Sequence, residues 1–362
     1  MSFPFQSELH PSSFNRLVEV FRSTVERFPD ERMGDNVVYS MADAAMGAFS
    51  VFFTQSPSFL DFQRSLEVTA GCSNAQSLFR MTQIPSDNHI RNLLDPVPPS
   101  TVFPVFSYAV EALLELGHLE PYRSGSGDLL VALDGTQYFT SSKIHCDKCS
   151  VKNHKNGTVT YSPTVVTPVI VAPGNPRVIP LEPEFITPQD SHDKQDCENA
   201  AAKRWLSVYG ARYSALGVTI LGDDLYCKQP LCQALIREGL NFILVCKPDS
   251  HKTLYEWVAS LAATSDVRTL EVKRRKGKHR YTDTYRFVNQ LPLRDGQQAL
   301  DVNWCELTTT RDDGKVVYKN AFATNHPITE TNVADIVRDG RARWKVENEN
   351  NNTLKTKGYH LS

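Results

Sequence analysis

Two aspartates stand directly behind short apolar runs. Asp134 follows Leu129, Leu130, Val131, Ala132 and Leu133, and Asp223 follows Val218, Thr219, Ile220, Leu221 and Gly222. Such runs read as buried β-strands. Each aspartate is therefore expected at the carboxyl end of a strand, where open α/β sheets build their sites. On adjacent strands the two carboxylates would come within a few ångströms. Like charges that close are unfavourable unless they share a cation. Mg2+ takes oxygen ligands of this kind and keeps positions for water and phosphate. Paired ions of this type can activate a water or a 3′ hydroxyl and stabilise the leaving oxygen of a phosphodiester. An aspartate after a strand also serves as a turn former or helix cap. With 41 acidic residues in the chain, two such placements do not decide the matter.

A third acid comes from RARWKVENENNNTLK. Arg343 and Glu347 are four residues apart, hence on one face of a helix. An exposed, salt-bridged helix has the same spacing.

The elements that must position these groups change character along the chain. Phe14, Leu17, Val18, Phe21, Val25 and Phe28 fall at helical spacing after Ser12 and Ser13, predicting a helix over 14–30. Ser40–Phe53 and Phe103–Leu116 also read as helices, so roughly the first 120 residues are expected to be helical. The polar linker RSGSGD at 123–128 ends that region. Beyond it, 129–133 is a strand, and 157–186 reads as two strands turning at Pro173-Gly174. A helix is expected over 196–209, a strand over 218–222, a helix in PLCQALIREGL and a strand in NFILVCKPD. Polar–apolar alternation over 267–324 predicts several strands, and 333–355 reads as one closing helix. This order predicts an α/β fold with a mixed sheet. There is no internal repeat.

The three acids and their settings together resemble the insertion-sequence DDE transposases. The matching segments are LLVALDGTQYF, VTILGDDLYC and RWKVENENNNTLK, in that order. The gaps agree as well: 223 − 134 = 89 and 347 − 223 = 124, the second holding the strand-rich segment. The family's Arg-x-x-x-Glu signature falls on Arg343 and Glu347, and Tyr226 stands three after Asp223 as in the family. Two positions depart from the pattern. Gly340 stands where the family has Tyr, and Leu354 where it has Lys, with Lys355 one residue on. Asp224 and Glu349 are accordingly alternative acids.

The resemblance covers roughly residues 120–360. It implies an RNase H-like mixed sheet flanked by helices over 123–362, a β-rich insertion at about 265–328, and a helical N-terminal region over 1–122 with a possible DNA-binding role. It implies Asp134, Asp223 and Glu347 as ligands of Mg2+ or Mn2+, with Arg343 holding a phosphate. The activity implied is strand cleavage and strand transfer on double-stranded DNA at element ends and target. The family context adds a homodimer on DNA and a bacterial, nucleoid-associated cytoplasmic setting. Family members continue with further helix beyond the last acid, so the chain reads as a shortened copy. The rival readings are a non-catalytic DNA-binding remnant and an unrelated metal-dependent nuclease.

Further features bear on binding. Cys146-x-x-Cys149, with His145 and His154 nearby, has the spacing of half a structural Zn2+ site; His192 or Cys197 are candidates to complete it. EVKRRKGKHRYTDTYR gathers Lys273, Arg274, Arg275, Lys276, Lys278 and Arg280, with Arg286, Tyr281 and Tyr285, in a hairpin-like stretch suited to phosphate contacts. Lys355 is a further candidate for DNA contact. A solvated face has the same composition. Trp205 and Trp344 read as core anchors. His251, after a sheet strand, is placed near the acids but without an assigned role.

Bulk properties set the frame. The chain has 362 residues, 41% hydrophobic and 22% charged, with net charge −2, so any basic surface must be local. No apolar run reaches the ~18 residues of a membrane helix, and the start has no signal-peptide pattern. Eight cysteines in this length do not form a disulfide framework.

Overall fold

The apolar runs become the centre of a large sheet. A computed structural model of the chain describes residues 11–33, 37–68, 79–81, 85–143, 145, 149–187 and 198–359. The chain divides into two compact units, Met1–His118 with Asn352–Ser362, and Leu119–Asn351.

The first unit is helical: α1 (Pro11–Val25), α2 (Met41–Phe53), α3 (Phe59–Val68), α4 (Asp87–Leu94) and α5 (Phe103–Glu115). α2 begins at a capping box in which Ser40 and Asp43 each bond the other's backbone N–H. Its Ala- and Met-rich sequence lets neighbours approach closely, and Ala44, Ala45, Met46 and Val51 form a core with Val25, Phe62, Phe79 and Ile90. No single helix among the described residues is long and apolar enough to cross a membrane.

The second unit holds the strands β1 (Leu129–Ala132), β2 (Gly135–Gln137), β3 (Ser150–Asn153), β4 (Val159–Ser162), β5 (Thr164–Val166), β6 (Val169–Val171), β7 (Ile179–Pro180), β8 (Glu184–Ile186), β9 (Val218–Gly222), β10 (Asn241–Val245), β11 (Arg268–Lys276), β12 (His279–Pro292), β13 (Asp301–Arg311) and β14 (Val316–Thr324). Nine of them form one sheet in the order β11-β12-β13-β14-β10-β9-β1-β6-β7. β1, β9 and β10 are parallel neighbours; β6 runs antiparallel to β1, and β14 antiparallel to β10. Strands β2, β5 and β8 form a small separate sheet, and β3 pairs with β4.

Both faces of the sheet centre are covered, which is why its strands are unbroken apolar runs. On one face Leu130, Ala132, Leu221, Ile243 and Val245 pack with Phe287, Cys305 and Phe322 and with Val333, Ile336 and Val337 of α9 (Val333–Arg341). The alternate residues Leu129, Val131, Ile220, Phe242 and Leu244 are equally buried. They point the other way, toward α6 (Glu198–Ala215) and α7 (Gln229–Arg237), which contact β9 and β10. Gly239, at φ +74, makes the turn from α7 into β10.

Two expectations change. The 157–186 stretch is five short strands (β4 to β8) rather than two. Pro163, Pro168, Pro173, Pro176 and Pro183 interrupt it, each lacking the N–H that a ladder needs. The long strands β11–β14 extend the central sheet, because β14 pairs with β10. The closing helix is broken: α9 ends at Arg341, a π-helical segment spans Val346–Asn351, and α10 (Asn352–Thr356) follows. The wider π turn brings Val346 and Asn351, five apart, both into the interior. A helix not read from the sequence, α8 (Lys252–Ala263), follows β10.

Candidate acidic site at the carboxyl ends of the central strands

Parallel register places the two aspartates side by side. Ala132 of β1 pairs with Leu221 of β9, and the Leu133 N–H donates to the Leu221 carbonyl at 2.8 Å. Asp134 and Asp223 thus each lie two residues beyond a matched pair, on strands ~4.8 Å apart. The Asp134 carbonyl accepts the Thr167 N–H at 2.9 Å, and the Thr167 hydroxyl reaches Asn351 Oδ1 at 3.3 Å. This ties the end of β1 to the π-helical segment.

The electrostatics of Asp134 follow from its surroundings. Burial pushes its carboxyl up to about 7; Glu347 pushes the same way, Arg343 opposes, and Glu198 and Asp223 add smaller upward effects. This half-buried carboxylate holds its proton because burial and the neighbouring carboxylates together outweigh the pull of Arg343.

Glu198 was not found by sequence reasoning. It opens α6, far from the other acids and behind no strand. Its carboxylate accepts the Tyr226 hydroxyl at 2.9 Å and the backbone N–H of Gly135. Burial raises its pKa, the Tyr226 hydrogen bond opposes this, and Asp223 adds to it. Gly135 is glycine for a steric reason: a Cβ there would lie 2.4 Å from Glu198 Cδ. The Asp-Gly pair in the sequence is the one local signal that something packs against this turn. Tyr226 is fully buried, and burial followed by Glu198 moves its phenol well above the usual range.

The alternative acids point elsewhere. Asp223 accepts the Leu225 N–H at 2.8 Å and is felt by Asp134. Asp224 instead accepts the Lys247 N–H at 2.7 Å and the Ser250 hydroxyl at 2.5 Å, binding the loop after β10. Glu347 acts on Asp134 and accepts Arg343 Nη1 at 2.8 Å; Glu349 is not among the groups that shift Asp134. Arg343 is buried, 6% exposed, with its guanidinium 4.9 Å from the Trp344 ring centroid and its Nε without a hydrogen bond. Trp205 is fully buried as expected, but Trp344 is 51% exposed and is no core anchor. Its ring instead covers the Arg343 guanidinium.

The acids are gathered but not clamped. Among the described residues, the group of three potential ligands with donor atoms all within 4.8 Å of one another is Cys227, Cys246 and His251, not any three of these carboxylates. Mutual repulsion, and the pull of Arg343 on Glu347, account for the wider spacing.

The half zinc site divides. Cys146, His192 and Cys197 lie outside the described residues. Cys149 is buried, His145 stacks on Tyr161 at 4.1 Å between centroids, and His154 Nε2 is 2.8 Å from Thr160 Oγ1. Both imidazoles thus have other partners.

The basic cluster occupies the β11–β12 hairpin, and strand alternation splits it. Arg275 stands opposite Arg280, and Lys273 opposite Thr282, on one face. Arg274 faces the other way and is bound to Asp283 at 2.5 Å, over the Tyr281 ring at 5.0 Å. Lys276 ends β11 on the Arg274 side, and Lys278 lies in the turn; all six cations are exposed. Lys355 lies on α10, which groups with the first unit. A directly opposed Arg275–Arg280 pair is unfavourable without an anion. A scan against protein-family models finds no match, and no curated protein matches the chain.

Proposed function

We propose that this protein is a metal-dependent phosphodiester transferase acting on DNA, of the DDE transposase type. One observation carries the reading. Asp134 and Asp223 leave adjacent parallel strands in matched register, and burial, with Glu347 beside it, raises the Asp134 carboxyl to about 7. The sheet order β7-β6-β1-β9-β10, with β1, β9 and β10 parallel and β6 antiparallel, supports the RNase H-like reading of the core. The basic Lys273–Arg275–Arg280 face supports a nucleic-acid partner, bound through phosphates.

The donor set fits Mg2+ or Mn2+: it is all oxygen, short of positive charge, and at a strand-end opening. Asp134, Asp223 and Glu347 would hold the metal, which supplies charge stabilisation to the attacking and leaving oxygens. Asp134 would have to be deprotonated to hold it. Glu198, fixed by Tyr226 and Gly135, is placed to orient a water at the site's edge. Arg343, whose Nη1 donates to Glu347 at 2.8 Å, would hold a phosphate oxygen beside that acid in this reading. A dimer on paired DNA ends belongs to the same proposal.

The test is strand cleavage by the purified chain with Mg2+ or Mn2+. The substrates are duplexes spanning the DNA on either side of its coding sequence, and unrelated duplexes. Cleavage confined to the flanking DNA and lost in Asp134→Ala and Asp223→Ala supports the proposal. Indiscriminate cleavage favours a nuclease, and binding with no cleavage a non-catalytic DNA-binding protein.

A further inference from the structure

A second group of metal-type side chains lies behind the acids, built from N and S donors. Cys227 follows the Asp223 turn, which is closed by the Tyr226 N–H to the Asp223 carbonyl at 3.1 Å. Cys246 is the first residue after β10, its N–H bonded to the Ala321 carbonyl of β14 at 2.9 Å. His251 sits at the start of α8, its N–H directed to the Lys247 carbonyl at 3.2 Å. Backbone bonds from three loops therefore aim these side chains at one point. Their ligand atoms all lie within 4.8 Å of one another, and all three residues are buried. Both cysteines are free thiols.

A second observation points to a ligand. His251 is only 5% exposed; its ring interacts with the Cys227 thiol, and its Nε2 faces Asp224 in a geometry that makes no good hydrogen bond. A buried ring nitrogen left unpaired is costly, and a coordination bond removes that cost. Asp224 Oδ1 lies 3.3 Å from Nε2. That is the separation expected of two ligands held at ~2.0–2.2 Å on one tetrahedral ion, roughly 3.3–3.6 Å. Asp224 Oδ1 also accepts the Lys247 N–H, but a carboxylate oxygen has a second lone pair to give.

We propose that Cys227, Cys246 and His251, closed by Asp224, form a buried structural Zn2+ site. Two sulfurs, one imidazole and one carboxylate suit tetrahedral zinc and exclude Mg2+ or Ca2+. The ion fastens the loop after β9 to the loop after β10 and to the start of α8. It thereby fixes the turn that carries Asp223. The site uses neither Cys146 nor Cys149, and it stands whether or not the acids cleave DNA.

The experiment uses the full chain, stripped of metal under reducing conditions and titrated with Co2+ and then Zn2+. Wild type is expected to bind one Co2+ with thiolate-to-cobalt charge transfer and tetrahedral d–d bands, which Zn2+ bleaches. Cys146→Ser/Cys149→Ser is expected to keep that spectrum. Cys227→Ser and His251→Ala are expected to bind at least about tenfold more weakly. The proposal is overturned if wild type gives no thiolate–cobalt band, or if the band is lost in Cys146→Ser/Cys149→Ser. Should Cys227→Ser fail to fold, the Cys146→Ser/Cys149→Ser chain decides alone, because its fold leaves the Cys227 cluster intact.

Discussion

Neutralising Asp134 should stabilise the metal-free protein above neutral pH and leave it unchanged in acid. The folded chain raises this carboxyl from 3.8 to about 7, chiefly by burial. The sign follows from linkage. Below about pH 4 the residue is protonated in both states and contributes nothing. Between about 4 and 7 the unfolded chain ionises first, so each step up in pH favours unfolding. Above about 7 the full penalty is present. The shift is about three units, each worth ~1.4 kcal/mol, which sets a ceiling of ~4 kcal/mol; partial solvent access brings the expectation to about 2–4 kcal/mol. Urea unfolding in EDTA, wild type against Asp134→Asn, measures this directly. The stability difference between the two should shift in favour of Asn by about that amount from pH 4 to pH 8. Saturating Mg2+ should reverse the order by stabilising wild type alone. A difference that is flat with pH would refute the claim that burial and the neighbouring acids raise the Asp134 carboxyl.

Three further outcomes follow from contacts described above. Gly135→Ala forces the Glu198 carboxylate aside; because that is the end of a flexible side chain, folding should cost under about 1 kcal/mol, while cleavage falls at least about tenfold, read by steady-state kinetics beside denaturation. Gly340→Ala places a Cβ 2.7 Å from the Phe322 ring and 2.9 Å from Ile243; this is overpacking in a closed core, expected to cost about 1–3 kcal/mol in urea unfolding. Lys273→Ala and Arg275→Ala should each weaken DNA binding and lower the slope of log affinity against log salt by about one. Arg274→Ala should leave that slope nearly unchanged, since Arg274 is held by Asp283; filter binding across a salt series separates the two cases.

The departure at position 340 has a physical reason in this fold. α9 lies so close to β14 and β10 that Phe322 and Ile243 occupy the space a side chain would need. A tyrosine there would require the helix to move outward.

The sequence by itself determined the strands that bear the acids. A buried parallel strand must be apolar on both faces, so LLVAL, VTILG and NFILV announce themselves, and the residue that ends each run is marked by position alone. Helix α2 was legible from its run of Ala, Met and Phe behind Ser40, and most of its Ala and Met residues are buried. Tertiary structure decided what depends on pairing and packing across distant segments. The register of β1 against β9 set Asp223 rather than Asp224 beside Asp134. The docking of α6 delivered Glu198, which has no strand to flag it. Pairing of β14 with β10 made the strands of 268–324 an extension of the central sheet. Strand alternation separated Arg275 from Arg274, and the meeting of three loops assembled Cys227, Cys246 and His251. Local composition encodes whether a segment is buried; which buried segments meet is fixed only when their side chains compete for the same space.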